Sequence, residues 1–185
     1  MKRLFIAIDI PLNTNIIEQI SRLRDELVNE RIKWVEPHQY HITLQFLGNV
    51  GISDISSINN SLEKVTGNSS RFSMELNEFG VFKNFRTPRI LWLGFSQCNE
   101  LTLLKDAIDD EMIKFGFEKS DKQFSPHFTI ARIKFLRERH KLEELVNSFR
   151  GTKFQVFEVE EIILYESILK PAGPEYYIIK KHTLK

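Results

Sequence analysis

Apolar residues crowd positions 4–8 and give way to Asp9 and Pro11, which predicts a buried strand over residues 3–10. The spacing then turns helical. Ile16, Ile17, Ile20, Leu23 and Leu27 recur at intervals of three and four between charged positions, with Asn13 or Thr14 placed to cap. That helix is expected to reach about residue 30. After Trp34 and Val35, Pro37 marks a break, and an alternating strand is expected over about 40–47. A turn at Gly48–Gly51 precedes a second helix, capped by Ser53 or Asp54, with Ile55, Ile58, Leu62 and Val65 inward and Gly67 just past its end. Phe72, Met74 and Leu76 alternate as a strand, and another is expected over 89–95. The third helix starts near Asn99, buries Leu101, Leu104, Ile108 and Met112, and stops around Gly116. A second alternating strand follows, then a charged helix over 137–150 with Leu142, Leu145, Val146 and Phe149 inward. One or two strands between Phe154 and Leu169 and a last one through Tyr176–Ile179 end the pattern.

Two of these strands share a core. Tyr40-His41-Ile42-Thr43-Leu44-Gln45-Phe46-Leu47-Gly48 returns in reduced form as Ser125-Pro126-His127-Phe128-Thr129-Ile130-Ala131-Arg132. Successive strand side chains point to opposite faces. His41 and Thr43 therefore share a face opposed by Ile42, Leu44 and Phe46, and His127 and Thr129 share one opposed by Phe128 and Ile130. A single His-x-Thr on a strand is commonly no more than a satisfied histidine. Two copies in the same apolar frame, among only five histidines, are a signal. Apart from them no clean repeat is visible, and two strand-plus-helix lobes with one motif each are the simplest arrangement.

Composition narrows the classes. A chain of 185 residues with 42% hydrophobic content and 15 Phe can bury a proper core as one domain or two small lobes. The net charge of +1 offers no global attraction for nucleic acid, so any RNA contact must come from a local basic surface. One candidate is the loop Lys83-Asn84-Phe85-Arg86-Thr87-Pro88-Arg89, with three cations and an aromatic residue; a plain solvated loop is the alternative. The run Arg137-Glu138-Arg139-His140-Lys141 carries both signs and is expected to be a solvated face. The lone Cys98 excludes an internal disulfide and fits a reducing, cytoplasmic setting. The apolar run after Met1-Lys2-Arg3 is too short for a secretory signal or a membrane span.

Two imidazoles facing one cleft can act as reciprocal acid and base near pH 7. Threonine hydroxyls beside them can hold nonbridging phosphate oxygens. Neither motif is accompanied by a His-x₃-His, a cysteine pair or a dense carboxylate group, so no metal site and no cofactor are expected. Asp9 can orient a histidine, although its simpler role is to end its strand in solvent. A non-catalytic RNA- or nucleotide-phosphate-binding module stays open beside the enzymatic reading.

The ordered set of motifs resembles the 2H phosphoesterases, and among them the RNA 2′,3′-cyclic phosphodiesterases, also called 2′-5′ RNA ligases. The resemblance runs from Arg3-Leu4-Phe5-Ile6-Ala7-Ile8 through Trp34, Phe46-Leu47-Gly48, Gly80-Val81-Phe82 and Pro88-Arg89-Ile90-Leu91-Trp92-Leu93-Gly94 to Phe124–Arg132. It implies an α+β fold: a single bilobal domain over 1–185, with two pseudo-symmetric lobes, each an antiparallel sheet with helices packed outside, and a cleft between them. It also implies metal-independent hydrolysis of RNA 2′,3′-cyclic phosphate ends to 2′-phosphomonoesters, with a reverse 2′-5′ ligation. A small cyclic nucleotide is the alternative substrate. In that scheme His41 is the proton donor, His127 the proton acceptor, and Thr43 and Thr129 hold the phosphate. Arg132 matches a substrate-binding arginine, although strand parity points it away from His127 unless the strand ends or bulges after Thr129. Phe5 and Tyr177 are candidate base-stacking contacts, with core packing as the competing role; Ile6 stands where relatives often carry a second aromatic residue. His38, His140 and His182 lie in loops or charged runs and receive no role. The expected partner is an RNA end, with no membrane, and the expected state is a monomer.

Overall fold

The structure is a computed structural model describing residues 1–119, 123–171 and 173–185. Among the described residues, nine strands form two antiparallel sheets. One is ordered β3 (His41–Val50), β1 (Lys2–Asp9), β8 (Glu161–Lys170), β9 (Gly173–Thr183). The other is ordered β2 (Arg31–Trp34), β6 (His127–Phe135), β5 (Ile90–Phe95), β4 (Phe72–Phe82), β7 (Gln155–Val159). Each sheet mixes strands from both halves of the chain, so neither lobe is a contiguous segment.

The helices follow their apolar stripes. In α1 (Thr14–Glu26) the Asn13 side chain accepts the Ile16 N–H at 3.0 Å, and Ile16, Ile20 and Leu23 are buried. It ends earlier than the spacing predicts, because Leu27 leaves helical geometry to cap it. Helices α2 (Asp54–Gly67) and α3 (Asn99–Ile113) pack on each other, with α2 against β8 and β9 and α3 against β3. Helix α4 (Arg139–Ser148) is shorter than expected and lies against β4. Strand β4 continues six residues past Leu76, and the short edge strand β2 has no expected counterpart; pairing with a neighbour made strands of stretches lacking clear alternation.

One large core joins the sheets. Ile42 and Leu44 of β3 belong to it together with Phe128 and Ile130 of β6, all at most 3% exposed. Burial of such side chains is worth roughly 1.5–3 kcal/mol each, so the two motif strands are held by the core halves of their own sequences. The other side of the first sheet carries a smaller cluster of Phe5, Ala7, Ile163 and Tyr165, with Tyr176 against it.

Both motif strands bulge at the same place. In β3, Thr43 pairs with Ala7 and Gln45 with Ile6, leaving Leu44 as the extra residue. In β6, Thr129 pairs with Trp92 and Ala131 with Leu91, leaving Ile130 extra. An extra residue reverses strand parity beyond it. The expectation that Phe46 lies in the core is therefore overturned: it is 69% exposed, and Gln45 is buried instead, with neither side-chain amide atom hydrogen-bonded among the described residues. Gly48, further along β3, takes φ +66°, a left-handed conformation suited to glycine.

Candidate active site

The two motif histidines are mounted alike. His41 Nδ1 lies 2.8 Å from the carbonyl oxygen of Gln39, and His127 Nδ1 lies 2.8 Å from that of Ser125. A carbonyl only accepts, so Nδ1 carries the proton in each ring and the neutral Nε2 keeps its lone pair. The Gln39 side chain in turn donates to the Pro174 carbonyl at 2.8 Å, tying the His41 mount to the β8–β9 hairpin. Thr43 and Thr129 are half-buried on the same faces as their histidines.

The residues next to the histidines bring the two strands together. Tyr40, just before His41, packs on Phe128, just after His127, with ring centroids 5.1 Å apart. The charge of His127 acts on His41, as does that of Arg132.

Each imidazole sits among aromatic rings. His41 meets Phe5 at 5.0 Å and the edge of Tyr176 at 5.1 Å, with Tyr165 at 6.4 Å. His127 meets Phe82 edge-on at 4.6 Å, with Trp92 at 6.4 Å. Trp92 lies across two glycines. A Cβ at Gly80 would stand 2.2 Å from its ring and one at Gly94 2.7 Å, so both positions must lack a side chain for the indole to occupy this place. That is a physical reason for the glycines in Gly80-Val81-Phe82 and Trp92-Leu93-Gly94.

Burial pushes both imidazoles below the ordinary histidine value, and the carbonyl hydrogen bonds oppose that shift. At His41 there is a further favourable charge, Asp9, opposed by those of Arg132 and His127. Asp9 pairs with His41 across β1 and β3, and its Oδ1 accepts the Tyr165 hydroxyl at 2.6 Å. Burial and this carboxylate drive the Tyr165 phenol strongly upward, keeping it a protonated donor. Asp9 does end its strand exposed to solvent, as expected, and makes these contacts from there. A cavity of about 370 Å³ opens beside it, lined in part by Asp9, His38, His41, Tyr165, Tyr176 and Tyr177.

The remaining sequence-derived candidates divide. The bulge at Ile130 turns the exposed Arg132 to the His127 side, where it acts on both His41 and Tyr176; simple alternation points it away. Phe5 is only 2% exposed and is packed by His41, Tyr165 and Tyr176, so it supports the imidazole and has no free face for a base. Tyr177 is 49% exposed on the cavity wall, its hydroxyl donating to Glu175 at 2.8 Å. Its neighbour Tyr176 is the one that reaches His41. Sequence reasoning passes over Tyr165 and Tyr176, whose only signal is a place in strands with aromatic residues. His182, expected in a loop or charged run, is instead in β9, buried and 3.0 Å through Nε2 from Asn59 Oδ1. Among the described residues, no group of three or more His, Cys, Asp or Glu is arranged to hold a metal ion.

The chain is similar to known proteins in both sequence and fold. The family model for LigT like phosphoesterases matches the chain twice, over residues 10–92 and 93–176, one motif in each match. The RNA 2′,3′-cyclic phosphodiesterase of Methanocaldococcus jannaschii is 34% identical over 182 residues, 97% of this chain and 99% of its own. The crystal structure of TT0787 of Thermus thermophilus superposes with a TM-score of 0.80 at 26% identity, covering 98% of this chain and 97% of the other. That of E. coli LigT complexed with 3′-AMP gives 0.77 at 25% identity, covering 100% and 98%.

Proposed function

The chain belongs to the LigT-like phosphoesterase family, and from that membership we propose that it opens the 2′,3′-cyclic phosphate at an RNA end to a 2′-phosphomonoester. The observation that carries the mechanism is the matched mounting of His41 and His127, each with Nδ1 committed to a backbone carbonyl. Nε2 is then the atom left for chemistry.

Asp9 breaks the symmetry between the two. Its carboxylate favours a protonated His41, and among the described residues no carboxylate acts on His127. His127 Nε2 takes a proton from water as the water oxygen bonds to phosphorus. The P–O3′ bond breaks, and His41 delivers its Nε2 proton to O3′, leaving the phosphate on O2′. Thr43, Thr129 and the Arg132 guanidinium hold the nonbridging oxygens as negative charge grows on them. With a 5′-hydroxyl in place of water, the same step joins two strands by a 2′-5′ linkage. The whole of 1–185 works as one bilobal unit, because strands of both halves build each lobe.

Incubating an oligonucleotide that ends in a 2′,3′-cyclic phosphate, in excess EDTA, tests the reading. The expected product is the 2′-phosphate, formed at the rate seen without chelator. A 3′-phosphate product, or a need for zinc or magnesium, would overturn it. A non-catalytic binding module would bind this oligonucleotide and leave it unchanged.

A further inference from the structure

Two basic runs far apart in sequence meet at one end of β6. The Arg89 carbonyl accepts the Ile133 N–H at 2.9 Å, and Ile90 pairs with Arg132, so the 83–89 loop enters alongside the distal half of that strand. On the opposite flank, β2 pairs Arg31 with Phe135. Strand β6 itself presents Arg132 and Lys134 to solvent and ends in Phe135, which is 51% exposed. Past Phe135 the 136–141 segment bends around an open depression of about 630 Å³, with Arg137, Arg139 and one carboxylate, Glu138, on its wall.

Neutralising contacts are scarce there. Among the described residues, no carboxylate stands within ion-pair distance of Arg31, Arg86, Arg89, Arg132, Lys134 or Arg139. Two exceptions adjoin the surface: Lys141 is paired with Glu26 at 2.9 Å, and Glu30 accepts the backbone N–H groups of Arg137 and Glu138 at 2.7 and 3.1 Å. Elsewhere many lysines are paired, as Lys105 is with Asp109. A local concentration of unneutralised cations on a chain of net charge +1 favours a polyanion at this place.

Resting on the proposed cyclic phosphodiesterase reading, we infer that the distal half of β6, with the two basic runs beside it, is the track for the single-stranded RNA body that precedes the cyclic phosphate. The track leads straight out of the catalytic cleft. From Thr129 to Phe135 the strand spans about 20 Å, room for a short run of nucleotides. Cations following a backbone and an exposed aromatic ring for a base are the ordinary means of holding a single strand without reading its sequence. The enzyme then favours RNA ends over small cyclic nucleotides through contacts outside the cleft.

The test compares a 2′,3′-cyclic mononucleotide with an oligonucleotide of about eight residues carrying the same end, over a range of salt. For the oligonucleotide, log kcat/KM should fall steeply with log salt, and for the mononucleotide only weakly. The double variant Arg86→Gln with Arg139→Gln, both on the surface, should flatten the oligonucleotide slope by about 1.4, at ~0.7 per lost phosphate contact. The oligonucleotide-to-mononucleotide ratio of kcat/KM should drop about 20-fold near 0.1 M salt. Phe135→Ala should lower the ratio and leave the slope as it is. Equal salt slopes for the two substrates, or a ratio that the double variant does not move, would overturn the track while the catalytic reading stands. Failure of the parent protein to hydrolyse either substrate would instead overturn the reading on which the track rests.

Discussion

The ring of Tyr40 lies 5.1 Å from that of Phe128, and each belongs to the residue adjoining a motif histidine. This contact ties the two motif strands together through the core. Both side chains are buried, Phe128 completely, and burial pushes the Tyr40 phenol up to about 12.

Removing the ring of Phe128 should therefore affect stability and chemistry together. Phe128→Ala should cost about 3–5 kcal/mol, visible as a large drop in Tm. Phe128→Leu keeps most of the apolar volume and should cost less than about 1.5 kcal/mol, with turnover still reduced because Tyr40 loses its partner. Wild-type turnover in a folded Phe128→Leu protein would show that the ring pair does not set the catalytic spacing.

In the proposed mechanism the two histidines act on one transition state. His41→Ala or His127→Ala should each lower kcat by roughly 10²- to 10⁴-fold, with substrate binding changed much less. The double variant should be little worse than either single one, since acid and base are lost from the same step. Thr43→Val and Thr129→Val should each cost less than a histidine. Single-turnover rates on the cyclic-phosphate oligonucleotide measure all five variants; independent, multiplying histidine effects would refute a shared step.

The pH dependence follows from the environments of the imidazoles. Both lie below the ordinary histidine value of 6.5 in the free protein, so near neutrality both are mainly neutral. The productive pair, one charged and one neutral, becomes commoner as pH falls. Accordingly kcat/KM should rise from pH 8 toward pH 6 and peak below about 6.5. A bound phosphate favours the imidazolium, so the kcat profile should peak at higher pH than kcat/KM. Asp9→Asn removes the charge that supports protonated His41. It should reduce kcat/KM more at pH 8 than at a pH on the acid side of the optimum. An equal loss at both pH values would mean that Asp9 acts only by packing.

The local chemistry of the chain was sufficient for most elements and for the shared faces within each motif. Asn13 caps α1 by a bond to a residue three positions away, and the apolar stripe of that helix needs no distant partner to be recognised. That His41 shares a face with Thr43, and His127 with Thr129, was legible because parity holds between positions two apart on a strand. Parity failed just beyond, at Leu44 and Ile130, since a bulge is a property of pairing between two strands and leaves no mark on one alone. Only the folded chain could decide that Phe46 faces out, Gln45 faces in and Arg132 returns to the histidine side. Asp9 and Tyr165 are 156 positions apart and meet because β8 pairs with β1, and the two basic runs meet because β5 pairs with β6. Periodicity reports which side of its own element a residue takes; which elements lie side by side is settled by burial and hydrogen bonding summed over the whole molecule.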